Sequence, residues 1–369
     1  MSGYLTLGDY AALLTSPPKR WLVMTTLLTA VAIVALVASS TIHHPLASEQ
    51  TEPFTMSMAP HPSSSSSSST SLPPPPKAGK QPPTTSPTRK PTAAPSSSHP
   101  TAAPISANKI QYNGGLVLTQ PVVYVIWYGN WTSVASQDTV VSTERFLTSL
   151  NATPYNTVLS SYYQVNQTTQ QRNYISNTVA FGGSTYSTVG LANNSLSKTS
   201  IHLVAADAIV SGELPFDPQG IYFVVTSPDV LVVGMCTSFC GWHSVLTVPG
   251  ESRPTVVAFA ALATACPSGC APPQYFSQSV NGQLTDGLIN VMSHELCEST
   301  TDPFGNGWEL NGEEMADLCE WTDMSGSSVH TTADGHTYNL VLNDNSKFTV
   351  QGEWLNVDGN SGGYCALSA

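Results

Sequence analysis

The chain has 369 residues, with 12 Lys+Arg against 24 Asp+Glu, a formal charge of -12 at pH 7 and a charged fraction of only 10%. So acidic a chain offers no basic surface on which to hold a polyanion, which excludes nucleic acid as a partner. Ser, Thr, Asn, Gly and Pro fill the deficit of charge, a composition typical of secreted and often glycosylated proteins.

From Trp21 to Ile42 there is no charged residue, a run long enough to cross a bilayer as a helix. Lys19 and Arg20 directly precede it, which places residues 1–20 in the cytoplasm and everything after Ile42 outside. Residues 21–42 can equally be a cleavable signal peptide, with Ala38, Ser39 and Ser40 offering a cut site. Both alternatives make the protein extracellular, either secreted or anchored at the cell surface by a single pass that is its only contact with the membrane. Residues 43–107 contain the runs Ser63 to Ser69 and Pro73 to Pro76 and many Ser/Thr-Pro steps. Such a tract buries too little apolar surface to offset its chain entropy and is expected to form a disordered stalk. Residues 108–369 then make one globular domain.

Within that domain Pro121 to Trp127 is rich in β-branched and aromatic residues and reads as a buried strand. Ser142 to Tyr163 carries apolar residues at mostly helical spacing, interrupted around Pro154. Ile201 to Ala206, Gly220 to Val225 and Thr255 to Ala260 are further strand candidates. Strands alternating with helices favour an α/β fold around a mixed sheet, with α+β as the alternative. Asn130, Asn151, Asn166 and Asn193 head Asn-x-Ser/Thr sequons and are candidate glycosylation sites. All lie in the first half of the domain, which leaves the other half for a site.

Seven cysteines occur, and an oxidising compartment makes pairing the default. Cys236 with Cys240, and Cys266 with Cys270, are the preferred local pairs, a crossed pairing or a four-cysteine zinc site being the alternatives. Cys319 and Cys365 would tie the C-terminal tail back to the domain. Cys297, inside a predicted helix, is left as a buried free thiol.

The stretch that carries chemistry runs from Leu284 to Pro303. Asp286 is a plausible N-cap, and Leu288, Ile289, Val291, Met292 and Leu296 form an apolar stripe on a helix that Pro303 ends. His294 and Glu298 stand four residues apart and share a face, the geometry by which a zinc peptidase helix presents its first two ligands. Glu295 follows the first ligand and sits where the H-E-x-x-H pattern places its general base. The departure is that carboxylate replaces imidazole at Glu298, which lowers the charge of the site and weakens acidification of water there. Downstream, Glu313, Glu314 and Asp317 sit on an expected short helix; Glu314 or Asp317 is the preferred third ligand, with the other supporting it. Asp302, His243, His330 and His336 are in reserve. Zinc is the expected metal. Calcium is the alternative, because Asp302, Glu309, Glu313, Glu314, Asp317, Glu320 and Asp323 are rich in oxygen, although imidazole suits it poorly. An ordinary solvated helix face is the competing explanation of the motif.

In its blocks YNGGLVLTQPVVYVIWYGNW, CTSFCGWHS, CPSGCAPP, VMSHELCESTTDPFGNGW and EEMADLCEW, and in its closing stretch, the chain resembles the exordium family, also called phosphate-induced proteins. The resemblance runs from about Gln111 to Cys365. It implies an extracellular, wall-associated protein linked in plants to growth and cell expansion, with no established reaction. It also places His294, Glu295, Glu298, Glu314 and Asp317 on motifs that the family shares. The stalk and the possible anchor depart from the family pattern. Two functions follow as expectations. One is a zincin-like metallopeptidase or hydrolase with Glu295 as base; the other is a non-catalytic surface protein that binds wall polymers, matrix or peptides around a structural metal or polar network. No glycine-rich phosphate loop and no Gly-x-Ser-x-Gly elbow is present.

Overall fold

The structure, a computed structural model, describes residues 109–190, 195–264, 269–270, 278–322, 328–357 and 362–369. The apolar segment 21–42, the tract 43–107 expected to form a stalk, Asn193, Cys266 and Asp323 lie outside these residues. Five strands build the central sheet: β1 (Val122–Tyr128), β2 (Ala180–Ser187), β3 (Gly220–Thr226), β4 (Trp242–Leu246) and β5 (Thr255–Ala261). Their order is β2-β1-β3-β5-β4. The first four run parallel and β4 returns antiparallel along the edge of β5.

The inner strands are apolar along their whole length because helices cover both faces. Val123, Val125 and Trp127 of β1 point into one core, together with Phe146, Leu147, Leu288, Val291 and Met292. Tyr124, Ile126 and Tyr128, the alternate residues, point into the other with Ile201, Val204 and Ala205. Two helices on the first face carry those partners: α1 (Val134–Ser149) and α3 (Gln283–Thr301). The second face is covered by α2 (Lys198–Val210). An α/β domain with a mixed sheet and the motif helix packed on it is therefore what the sequence pattern called for.

Two expected elements differ. The strand candidate Ile201 to Ala206 is the middle of α2. Ser197 caps that helix by accepting from the Ser200 amide, and the alanines Ala205, Ala206 and Ala208 favour helix over the pleat. A short apolar run carries no period by which to tell the two apart. The helix expected from Ser142 starts earlier, at Val134, because Ser133 caps it; Pro154 then opens a separate 3-10 turn, Tyr155–Ser161.

The local cysteine pairing is also corrected. Cys240 bonds Cys270 across the sheet edge, 30 residues apart, rather than Cys236 four residues away. Strand β4 must travel back beside β5 before this pair can meet, so spacing alone could not reveal it. Cys319 bonds Cys365 as expected, and Cys297 is a buried free thiol on α3. Among the described residues, no helix is long and apolar enough to cross a membrane.

Helix α3 is buried along nearly its whole length, with β5, β4 and β3 on one side. Asp286 is not its N-cap. That position belongs to Gly282, whose φ of 83° only glycine adopts freely, and Asp286 lies one turn inside. There its carboxylate accepts from the Asn281 side chain at 2.8 Å. Burial nevertheless pushes the pKa of Asp286 up to about 7. A carboxyl whose folded pKa is raised stabilises the fold below its unfolded pKa, and this contribution fades as pH rises through the folded one. Urea unfolding of the wild type should therefore lose up to about 1.4 kcal/mol per pH unit between pH 4 and 7 relative to Asp286→Asn. Parallel pH profiles for the two proteins would show that Asp286 ionises freely in the fold.

Candidate metal centre

An isolated His and Glu on a helix usually face water, but here the solvated face is excluded: His294, Glu295 and Glu298 are all fully buried. With the helix wrapped by the sheet and by later segments, each polar group on it must find a partner inside the protein. Some do. Asn290 Oδ1 accepts from the Gln351 amide at 2.6 Å, and the hydroxyls of Ser293, Thr300 and Thr301 donate to carbonyls within the helix.

The ionisable groups are less well served. His294 Nε2 lies 3.1 Å from Glu298 Oε1, as the one-turn spacing predicts. The short helix expected around Glu313 is a turn leading into a 3-10 segment, Asp317–Cys319. It brings the Asp317 amide to Glu298 Oε1 at 3.1 Å and Asp317 Oδ1 to within 3.4 Å of His294 Nε2. From the other side, β4 delivers His243. Its Nδ1 is 3.4 Å from Glu295 Oε2 and 3.8 Å from Glu298 Oε2, and its Nε2 is 3.5 Å from Glu314 Oε1.

Two ligand sets result, His294 with Glu298 and Asp317, and His243 with Glu298 and Glu314; within each set the donor atoms lie within 4.8 Å of one another. Both Glu314 and Asp317 thus reach the centre, but beside different imidazoles. His243 moves from reserve to the centre. His330 and His336 are exposed, as is Glu313, and the carboxylate of Asp302 is taken by the amides of Asn306 and Gly307 at 2.6 Å.

Four carboxylates, from Glu295, Glu298, Glu314 and Asp317, surround two imidazoles, and many of their atoms lack a hydrogen-bond partner. These are Glu295 Oε1, Glu298 Oε2, both oxygens of Glu314 and Asp317 Oδ2, while His294 Nε2 faces Glu298 and Asp317 within 3.4 Å but out of line for a hydrogen bond. Buried, uncompensated negative charge is costly, and protein alone relieves it only by taking up protons. Burial and the neighbouring Asp317 charge push Glu298 well above the usual carboxylate range, and burial with the charges of Glu298, Asp302 and Asp317 does the same to Glu314. Burial disfavours the charged ring of His243, yet Glu314, Glu295 and Asp302 outweigh it and raise its pKa to about 9. His294 is likewise pushed up, by Glu298, Asp317 and Glu295 against its burial. Orphaned carboxylate oxygens on α3 and the following turn, together with the imidazoles of His294 and His243, are the donor types a divalent cation needs, so the residues fit zinc.

Gln351, which the sequence marks only as part of the closing stretch and not as a site residue, braces the centre. Its amide nitrogen donates to Ala316 O at 2.9 Å and lies 3.2 Å from His294 Nδ1, linking α3 to the segment that carries Asp317. Only its place in the matching closing stretch hinted at a role.

The class of protein is an α/β domain whose buried, sheet-packed helix presents an H-E-x-x-E motif to acidic residues of a later turn. The family model described as "Phosphate-induced protein 1 conserved region" matches residues 110–359, so the chain belongs to the phosphate-induced, or exordium, family. Protein EXORDIUM-like 3 of Arabidopsis thaliana is 30% identical over 271 residues, covering 65% of this chain and 75% of that protein. Protein EXORDIUM-like 5 of the same plant is 29% identical, covering 66% and 75%. Protein PHOSPHATE-INDUCED 1 of Nicotiana tabacum is 27% identical, covering 63% and 77%. No solved structure matches. Family membership and the disulfides are consistent with a place outside the cell.

Of the sequons, Asn130, Asn151 and Asn166 are exposed.

Proposed function

We propose that this exordium-like protein is an extracellular zinc-dependent hydrolase of cell-wall or matrix peptides, exported by its N-terminal segment and carried on the stalk. The observation that carries this reading is the buried, unpartnered donor set on α3 and the following turn. His294, Glu298 and Asp317 would hold the ion, and a centre with three protein ligands leaves a position for chemistry. Zinc bound there supplies Lewis acidity to a carbonyl under attack. Glu295, next to the first ligand, accepts the proton of the attacking water through its unpartnered oxygen and passes it to the leaving amine.

Full-length protein stripped with a chelator and reloaded should bind zinc and cleave members of a peptide library. Glu295→Gln should keep the zinc and lose hydrolysis by ~100-fold or more. A wild type that takes up no zinc overturns the reading.

Gln351 favours a second reading. With its amide nitrogen toward His294 Nδ1, the neutral ring carries its proton on Nε2, facing Glu298 and Asp317. Zinc on Nε2 requires that amide turned over, with its oxygen toward Nδ1. If it stays, the cluster is a proton-holding polar network, and the domain binds wall polymers without catalysis. Absence of zinc together with wall-polymer binding in pull-down would favour that alternative.

A further inference from the structure

The two donor sets meet in one residue, Glu298, and its two oxygens face opposite ways. Oε1 is 3.1 Å from His294 Nε2, while Oε2 is 3.8 Å from His243 Nδ1. The unpartnered atoms divide in the same manner. Asp317 Oδ2 is orphaned on the side of His294; Glu298 Oε2 and both oxygens of Glu314 are orphaned on the side of His243. A single cation held by His294, Glu298 and Asp317 would leave the carboxylates of Glu295 and Glu314 to the one imidazole of His243, although His243 and Glu298 are fully buried and Glu314 is 3% exposed.

We propose that the domain holds two divalent cations, bridged by the Glu298 carboxylate, one with His294 and Asp317 and the other with His243 and Glu314. This inference rests on the metal reading above and extends it. Charge decides the number. Glu295, Glu298, Glu314 and Asp317 carry four negative charges when ionised, which two divalent cations neutralise with both imidazoles uncharged, whereas one cation leaves half of that charge to be met by protons on the imidazoles or carboxyls. A carboxylate bridging two cations about 3.5–4 Å apart is a recurrent arrangement in hydrolytic enzymes. Asp302 supports the second position without joining it: its carbonyl oxygen lies 3.4 Å from His243 Nε2 and can fix the ring, while its carboxylate is engaged by backbone amides.

The test is metal stoichiometry on full-length protein. Chelator-stripped protein is titrated with Co²⁺, followed by its visible absorption, and separately reloaded with Zn²⁺ and measured by mass spectrometry after dialysis. Two equivalents are expected, with the cobalt absorption breaking at two. His243→Gln and Glu314→Gln should each retain one, as should His294→Gln, and Glu298→Gln should weaken both positions. Circular dichroism identifies any variant that has not folded, and the wild-type cobalt titration needs no variant at all. A break at one equivalent, with zinc lost in His294→Gln but kept in His243→Gln, overturns the second cation and leaves the single-metal reading standing; His243 is then an imidazolium in its place. No uptake of either metal sinks both.

Discussion

With zinc at about a thousand times its dissociation constant, the wild type should gain about 4 kcal/mol in unfolding free energy over chelator-treated protein, and Glu298→Gln should gain almost none. The sign without metal is the informative part. Glu298 is fully buried, and Asp317 and Glu295 add like charge to the cost of its burial. A neutral amide of the same shape keeps an acceptor for the Asp317 amide while removing that repulsion. The metal-free variant should therefore be no less stable than metal-free wild type, and chemical denaturation with and without zinc measures both differences. Equal destabilisation in the two conditions would mean that Glu298 works as a hydrogen-bonding strut in a metal-free network.

The part of this centre legible in the sequence is the part that is local. His294 and Glu298 lie one helical turn apart, so the 3.6-residue period alone puts them on one face, and Glu314 and Asp317 follow in a short acidic run. His243 was visible only as a reserve, because what brings it in is the antiparallel return of β4 beside β5, a contact without a spacing rule. The Cys240–Cys270 bond comes from the same return, so spacing favoured the near neighbours and left the crossed pairing as the alternative. Gln351 and Asn290 are ordinary polar residues until the closing segment folds over α3 and joins them. In the fold, β1, β3 and β5 stood out because strands buried on both faces are continuously apolar. Helix α2 did not, since its apolar residues also cover a sheet and its cap at Ser197 lies just outside the run that drew attention.

Gly241, at the mouth of β4, is where fold and centre are tied most tightly, and Gly241→Ala should damage both. A Cβ there would meet Val291 Cγ1 at 2.5 Å, Glu295 Oε1 at 2.7 Å and the Phe259 carbonyl oxygen at 2.9 Å. The edge strand can approach α3 this closely only because nothing projects from that position. Adding a methyl group must push the helix from the sheet or lift the start of β4 from β5, and overpacking of this kind costs about 1–3 kcal/mol. Because one of the three obstructing atoms belongs to Glu295, the same displacement moves the carboxylate assigned as base, so peptide hydrolysis should fall further than the loss of folded protein explains. Trimming the second obstruction tests the cause. Val291→Ala alone should destabilise, since it empties part of a core position, but combined with Gly241→Ala it should cost less than the two changes added together, with a coupling of about 1 kcal/mol in a double-mutant cycle. Recovery should be incomplete, because the Phe259 carbonyl is backbone and cannot be trimmed. Strict additivity would place the damage elsewhere and separate the close approach at Gly241 from the position of Glu295.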